Sequence, residues 1–320
     1  MTARTLRLGT RRSLLAMTQS GMVADAVAAA TGHAVELVEI STYGDTSQAT
    51  NEPITQIGGT GIFVNALREA LLRGEVDFVV HSLKDLPTAA AEHLVLAAVP
   101  EREDVRDVLV ARDGHKLADL PAGARIGTGS LRRAAQLRLT RPDLEVVPVR
   151  GNVDTRVGFV ESGRLDGVVL AYAGLNRLGR IAEATELFDP ADFLPCPGQG
   201  ALAVECREDD AELRALLGAL DHAPTRAAVL AERSLLATLE AGCSAPVGGY
   251  ARPAHEGGSE IVVTGIVAST ESEGTPRSVR GSLSGPAEQA SRLGAELAAW
   301  LLAQGAAALM TAADQVGETP

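Results

Sequence analysis

The sequence has few aromatic residues and few cysteines, and both shortages narrow the classes of function. Aromatic residues make up 3% of the chain, so the stacking platforms on which proteins bind single-stranded nucleic acids are scarce. Three cysteines occur, Cys196, Cys206 and Cys243, and no pair has the C-x-x-C spacing. We therefore expect neither a disulfide framework nor a zinc site. The six histidines are scattered and form no H-E-x-x-H motif, so no bound metal is expected.

Long apolar runs and an excess of basic residues are also missing. No run approaches the roughly 18 apolar residues that span a bilayer, and Arg7, Arg11 and Arg12 interrupt the N-terminal region where a signal peptide would be apolar. The chain has 29 Lys and Arg against 41 Asp and Glu, a net charge of −12, which argues against a nucleic-acid binder. We predict a cytoplasmic protein with no membrane or nucleic-acid partner. Because no large apolar surface pattern stands out, we also predict a monomer.

The order of strand and helix patterns predicts an α/β fold in several domains. A chain of 320 residues favours two or three domains, and strands alternate with helices through the first half, which is typical of parallel sheets. The strand "ALAVEC" has no partner nearby, so we expect it to return to the first sheet, with two chain crossings and a hinge. The predicted domains are residues 1–100 with 200–219, residues 105–195, and residues 222–320.

The third region is predicted to mix helices with paired strands. Pro224 fits the first turn of a helix that runs to Ala241, and Gly242 fits the position just after it. Two strand patterns follow, and a final amphipathic helix is predicted over 286–304.

Clustered arginines stand out against the acidic composition. The turn "GTGSLRR" follows a strand and opens a helix, and it combines Thr128 and Ser130 with Arg132 and Arg133. Free N–H groups and the helix dipole favour an anion at such a turn, and guanidinium groups bind carboxylate or phosphate. The sequence has no GxxxxGK[ST] and no GxGxxG motif, so a nucleotide site is not supported.

Two further strand ends have the same chemistry. "VRGNVDTR" supplies Arg150 and Arg156, and "LGTRRS" supplies Arg11 with Ser13. Because ligands bind at the carboxyl ends of parallel strands, we predict one polyanion pocket between two domains. Arg138 and Arg141 are instead expected to be solvated residues of a helix surface.

Two other positions are candidates for chemistry. In "VVHSLKDLP", Lys84 and Asp85 end an apolar strand, where a carboxylate could act as an acid, a base or a partner of a cationic intermediate; a solvated turn is the alternative. Cys243 follows a helix C-terminus, whose partial negative charge raises the pKa of a thiol. Such a thiol suits a once-alkylated anchor, although a small buried filler remains open. Cys206 is expected in the core.

Taken together, these motifs resemble the porphobilinogen deaminase (hydroxymethylbilane synthase) family over nearly the whole chain. The resemblance rests on "LGTRRSLLA", "GGTGIFVNALREALL", "DFVVHSLKDLPT", "GTGSLRRAAQL", "RGNVDTR", "AYAGLNRLG", "PGQGALAVECR" and "ERSLLATLEAGCSAPVGGYA". It implies two periplasmic-binding-protein-like lobes with mostly parallel sheets, a smaller α+β C-terminal domain, and a lid at residues 43–61. The implied enzyme is a transferase of haem biosynthesis. It joins four porphobilinogen molecules head to tail, releases ammonia each time, and releases linear hydroxymethylbilane, the substrate of uroporphyrinogen-III synthase.

The resemblance also implies roles for individual residues. Cys243 would carry a dipyrromethane cofactor through a thioether, and Asp85 would be the catalytic carboxylate that stabilises an azafulvenium-like cation. The groups implied to bind cofactor or substrate are Arg11, Ser13, Lys84, Asp85, Thr128, Ser130, Arg132, Arg133, Arg150, Arg156 and Gln199. The chain departs from many relatives at Thr60, where they have Lys, and at Gly129, where they have Ser. Two rival functions remain open from the sequence: a non-catalytic anion-binding protein and a phosphate-ester transferase.

Overall fold

The computed structural model describes residues 4–40, 61–241, 245–255, 257–269 and 275–314. The chain forms two compact units, of which the first is Met1–Glu103 with Gly200–Arg226 and the second is Asp104–Gln199 with Ala227–Pro320. The C-terminal region thus belongs to the same unit as 104–199, while the division into three domains stays a prediction. No helix among the described residues combines the length and the apolar character that a membrane span requires.

The first unit is built on a five-stranded sheet in the order β2-β1-β3-β10-β4. Strands β1, β2 and β3 are parallel, and β10 is antiparallel to both β3 and β4. The strand "ALAVEC" therefore returns to the first sheet as predicted, although its direction opposes that of its neighbours. The strands are β1 (Leu6–Thr10), β2 (Val35–Glu39), β3 (Phe78–Ser82), β4 (Leu94–Ala98) and β10 (Leu202–Arg207).

Helices cover both faces of this sheet because its central strands are apolar on both sides. Helix α1 (Leu14–Thr31) packs Val23 and Val27 against the face that carries Phe78. Helix α2 (Gly61–Leu72) packs Leu67 against the opposite face. A short helix α6 (Ala211–Leu217) follows β10.

The second unit contains a similar five-stranded sheet in the order β7-β6-β8-β5-β9. Strands β6, β7 and β8 are parallel, and β5 is antiparallel to β8. Its strands are β5 (Asp107–Ala111), β6 (Arg125–Thr128), β7 (Glu145–Pro148), β8 (Gly167–Ala171) and β9 (Glu186–Leu187). Its helices are α3 (Leu131–Thr140), α4 (Val153–Glu161) and α5 (Tyr172–Arg177).

An antiparallel three-stranded sheet in the order β11-β12-β13 forms the rest of the second unit. Its strands are β11 (Val247–Pro253), β12 (Glu260–Ala268) and β13 (Ser278–Pro286). Helices α7 (Ala223–Thr238), α8 (Ala290–Ala303) and α9 (Ala306–Asp314) accompany it. The predicted α/β class with a smaller α+β part is confirmed, but the helix predicted to be the last is followed by α9.

Helix α7 ends earlier than the sequence predicted. Glu240 takes the left-handed conformation at φ 52°, and the N–H of Ala241 donates to the carbonyl of Leu236 while that of Glu240 donates to Ala237. These two bonds form a Schellman motif, which closes the helix two residues before the predicted glycine. Gly242 and Cys243 lie outside the described residues.

Candidate active site

In the first unit, the N-terminus of α1 follows the carboxyl end of β1. The Ser13 hydroxyl accepts a hydrogen bond from the N–H of Ala16 at 3.4 Å, so Ser13 caps the helix as predicted. The N–H groups of the first turn have no acceptor within a helix, and the dipole makes this end favourable for an anion. Arg11 is half-buried just before the cap. The local geometry suits the predicted carboxylate binding, which stays a prediction for both residues.

The turn before α3 repeats this arrangement in the second unit. The Ser130 hydroxyl accepts from the N–H of Arg133 at 3.4 Å, and the buried Thr128 hydroxyl accepts from the N–H of Ser130 at 3.2 Å. A Cβ atom at Gly129 would lie 2.6 Å from the carbonyl oxygen of Val149. Glycine at 129 therefore lets the chain approach the β7 end closely, which gives the Gly129 departure a structural reason.

Arg132 and Arg133 are buried around one carboxylate, that of Asp107. The exposed fractions of the arginines are 3% and 6%. Nη2 of Arg132 lies 2.7 Å from Oδ2 of Asp107, and Nη2 of Arg133 lies 2.7 Å from Oδ1. Both guanidinium groups also donate to backbone carbonyls. They thus have a structural role in the second unit, and their predicted contact with a ligand stays a prediction.

Gln199 completes this cluster from the segment before β10. It is fully buried, and its Nε2 donates to Oδ1 of Asp107 and to the carbonyl of Val105, each at 2.8 Å. Burial would raise the pKa of Asp107, but the charges of Arg132 and Arg133 outweigh burial and lower the pKa to about 2. Asp107 is therefore ionised at neutral pH, and the cluster of one carboxylate and two guanidinium groups keeps a charge of +1.

Sequence reasoning missed Asp107, although a signal was available. Asp107 opens the strand "DVLVA", in which all five residues are buried. A buried carboxylate in such a strand needs cationic partners, and two arginines, Arg132 and Arg133, follow later in the chain. The prediction assigned those arginines to a ligand and left the internal carboxylate out.

Arg156 differs from the two paired arginines. It lies in the first turns of α4, which Asn152 caps by accepting from the N–H of Thr155 at 2.9 Å. Its Nε, like that of Arg132, is buried without a hydrogen-bond partner among the described residues, but no described carboxylate contributes to the pKa of Arg156. Burial lowers the pKa of Arg156 to about 10, with a further contribution from the charge of Arg133. Arg150, also predicted to bind substrate, is exposed at the end of β7.

Asp85 lies in a short 3-10 turn, Leu83–Asp85, that follows β3. Its side chain is exposed, whereas Lys84 is half-buried. The N–H of Leu83 donates to the carbonyl of Ala201 at 3.0 Å, which ties the turn to β10. The carboxylate is thus presented at the carboxyl end of a central strand, where α/β proteins bind ligands.

Of the three cysteines, two are described. Cys206 is fully buried, as predicted, and burial raises the pKa of its thiol to about 11. Cys196 is half-buried. Cys243 and residues 43–60 of the lid predicted at 43–61, Thr60 among them, lie outside the described residues; Gly61 is the first residue of α2.

Comparison with known proteins identifies the family. A family model described as "Porphobilinogen deaminase, dipyromethane cofactor binding domain" matches residues 6–215, about two thirds of the chain. The chain belongs to the porphobilinogen deaminase family. A second model, "Porphobilinogen deaminase, C-terminal domain", matches residues 226–303. The chain is accordingly an enzyme of the transferase class, and the family's dipyromethane cofactor-binding domain is present in it.

Individual relatives agree with the family models. "Porphobilinogen deaminase 1" of Streptomyces coelicolor is 62% identical over 97% of this chain and 98% of its own length. "Porphobilinogen deaminase" of Thermobifida fusca is 63% identical over 77% of this chain and 76% of its own length. A periplasmic substrate-binding protein of an ABC transporter from Coxiella burnetii is 18% identical, with a TM-score of 0.43 over 71% of this chain and 94% of that one.

The described residues fit the cofactor that this family carries. A dipyrromethane made from porphobilinogen bears acetate and propionate groups, so it is a polyanion. In the second unit, Arg156 has a buried Nε that no described group satisfies, and it lies close enough to Arg133 for the charge of Arg133 to lower its pKa. Two cations that share a partly desolvated region favour an anionic ligand between or beside them.

Proposed function

We propose that the protein is a porphobilinogen deaminase in action as well as in family. It would join four porphobilinogen molecules head to tail, release four molecules of ammonia, and add water to release linear hydroxymethylbilane. Bound dipyrromethane would supply the acceptor end for this chain. The single observation that carries the proposal is Arg156, a half-buried cation without a described counter-ion in the matched cofactor-binding domain.

The basic and hydroxyl groups are proposed to bind the carboxylates of cofactor and substrate. The N-termini of α1 and α3 offer N–H groups beside Ser13 and Ser130. Arg11, Arg150 and Arg156 would add charge-assisted hydrogen bonds, each contributing about 1.5–3 kcal/mol. Arg132, Arg133, Thr128 and Gln199 would support this surface mainly from within, since Asp107 or the turn already engages them.

Asp85 is proposed as the catalytic carboxylate, with Lys84 beside it. An exposed carboxylate without a described ion-pair partner can accept hydrogen bonds from pyrrole N–H groups. It can also stabilise the positive charge that develops as ammonia leaves. Lys84 would bind a substrate carboxylate.

Cys243 is proposed as the covalent anchor. Cys206 is buried, with the pKa of its thiol raised to about 11, so it is a poor nucleophile. Intact-mass measurement of protein made in cells that produce porphobilinogen tests the anchor. Wild type and Cys196→Ser should be heavier than their sequences by two pyrrole units, and Cys243→Ser should have the mass of the bare chain.

Asp85→Asn separates catalysis from anchoring. This variant should keep the extra mass but lose porphobilinogen turnover by orders of magnitude. A wild-type mass equal to the bare chain would favour an anion-binding protein without catalysis. Stabilisation by inorganic phosphate with no pyrrole chemistry would favour a phosphate-ester transferase.

The cellular setting is proposed on the same basis. Hydroxymethylbilane would pass to uroporphyrinogen-III synthase, and the enzyme would work in the cytoplasm as a monomer.

A further inference from the structure

A buried ionic cluster lies on the α2 side of the first unit, and one of its members, His81, closely precedes Asp85 in sequence. Glu205 on β10 accepts two hydrogen bonds from Arg68 on α2: Nε to Oε2 at 2.9 Å and Nη2 to Oε1 at 2.7 Å. His81 on β3 places Nε2 3.1 Å from Oε2 of the same carboxylate. The exposed fractions of these side chains are 14% for Arg68 and 5% for each of the others.

The cluster connects three elements through a single carboxylate. Ala203 pairs with His81 and Glu205 with Val79 in the antiparallel ladder of β10 and β3, so His81 and Glu205 lie on one face of the sheet. Burial would raise the pKa of Glu205, but the hydrogen bonds from Arg68 and the neighbouring His81 outweigh burial and lower it to about 2. Glu205 is therefore an anion at neutral pH, which makes its hydrogen bonds strong.

The end of β3 is also held on its other face. Nε2 of Gln19 on α1 donates to the Ser82 hydroxyl at 3.0 Å, and the N–H of Leu83 donates to the carbonyl of Ala201. Residues 81, 82 and 83 are thus each fixed to a different part of the unit. The 3-10 turn that carries Asp85 begins directly after them.

We propose that Arg68, Glu205 and His81 form a positioning network that fixes the strand end from which Asp85 is presented. This inference rests on the proposed function, because it assumes that the place of Asp85 matters for turnover. None of the three residues touches the reacting atoms; each acts through the backbone of β3. Displacing a catalytic carboxylate by about 1 Å can lower the rate of the reaction about a hundredfold.

Arg207 provides a matched control. It lies two residues beyond Glu205 on β10, and its Nη1 donates to the carbonyls of Leu71 and Val76, each at 2.9 Å. Its side chain is 22% exposed. Arg207→Met therefore removes a guanidinium of similar burial that binds the end of the same helix but does not contact His81.

The test compares Arg68→Met and Arg207→Met in the full-length, cofactor-loaded protein. Amide hydrogen exchange at Leu83 to Asp85 should rise in Arg68→Met and stay at the wild-type level in Arg207→Met. The kcat for porphobilinogen should fall about tenfold or more in Arg68→Met with KM nearly unchanged. Arg68→Lys should restore part of the lost kcat, because a cation returns without the planar fork.

Two results would overturn the proposal: equal exchange at the turn in Arg68→Met and Arg207→Met, or faster exchange with wild-type kcat. If Arg68→Met does not fold, Arg68→Lys carries the same comparison with a smaller expected effect. A wild type without turnover would refute the proposed function alone. The exchange comparison would then still decide whether the network holds the turn.

Discussion

At the scale of single residues, the second unit treats its arginines in two ways. Arg132 and Arg133 lie in the interior and share Asp107, whereas no described carboxylate contributes to the pKa of Arg156. A buried cation is tolerated when a carboxylate compensates it and is costly when none does. The pairing explains why two adjacent arginines can be buried, and an anion beside Arg156 would compensate the remaining charge.

Asp107→Asn should destabilise the protein strongly and change its acid stability. The variant leaves two buried guanidinium groups facing a neutral amide, which should cost about 3–5 kcal/mol at pH 7. The pKa of Asp107 is about 2, below the value of about 3.9 in unfolded chains. The stabilisation by Asp107 is therefore complete above about pH 4 and is lost as the pH falls toward 2.

Urea unfolding followed by the fluorescence of Trp300 measures this effect. Trp300 is the sole tryptophan and lies on α8 in the same unit. The difference between wild type and variant should stay constant from pH 7 to pH 5 and shrink below pH 4. A difference that is unchanged down to pH 2 would contradict the role assigned to the ionised carboxylate.

The sequence predicted which residue types lie at the site, but it did not predict the buried contacts that hold them in place. Serine caps at 13 and 130 followed from local patterns, because capping depends on residues within one turn. The cluster around Asp107 joins residues 107, 132, 133 and 199, which no local pattern connects. The positions of Asp85 and Arg156 at strand and helix ends were predictable, whereas the burial of Arg132 and Arg133 was not.

At the scale of elements, close packing fixes the position of helix α7, the helix that precedes Cys243 in sequence. Helices α7 and α8 approach each other at Gly294, where a Cβ atom would lie 2.0 Å from the carbonyl oxygen of Ala231. Real Cβ atoms do not come so near a backbone oxygen, so only glycine allows this approach. The helix that precedes Cys243, the proposed anchor, is therefore placed by the absence of a side chain at Gly294.

Gly294→Ala should separate the two helices and destabilise the protein by about 1–3 kcal/mol. Gly158→Ala is the matched control, because Gly158 lies inside α4 of the same unit and has no atom within 4 Å of a built Cβ. The control should stabilise the protein by about 0.4–1 kcal/mol through the unfolded state. Thermal unfolding of both variants checks the prediction. Equal changes in melting temperature would show that the helices have room for a side chain at position 294.

Several elements could not be predicted because tertiary contacts create them. Strand β11 contains Gly248, Gly249 and a terminal proline, all poor strand formers. It exists because it pairs with β12, and a Cβ atom at Gly248 would lie 2.8 Å from Leu194. By contrast, α1 and α3 were predicted closely because serine caps marked where each begins.

At the scale of the whole molecule, a protein of net charge −12 keeps a local excess of positive charge for an anionic group. The lowered pKa of Arg156 means that its charged form destabilises the folded state at every pH below about 10. One pKa unit corresponds to about 1.4 kcal/mol, and the side chain is only partly buried, so the cost is about 1–3 kcal/mol. A covalently bound polyanion should remove this cost.

The loaded protein should therefore be more stable than Cys243→Ser, which lacks the cofactor if Cys243 is the anchor as proposed. A ligand that binds only the folded state raises the melting temperature, and about 1 kcal/mol corresponds to roughly 2–4 °C in domains of this size. Adding Arg156→Met to Cys243→Ser should raise its melting temperature, because the uncompensated cation is gone. In the loaded protein, the same substitution should lower it, because a contact to the cofactor is lost.

Arg164→Met is the control, since it removes the same charge from an exposed side chain that stacks on Phe159 just beyond α4. It should change both forms alike and by little. If Arg156→Met raises the melting temperature of Cys243→Ser but lowers that of the loaded protein, Arg156 binds the cofactor and destabilises the protein without it. The same sign in both would mean that its charge is compensated from within the chain, and the anion site would have to lie elsewhere.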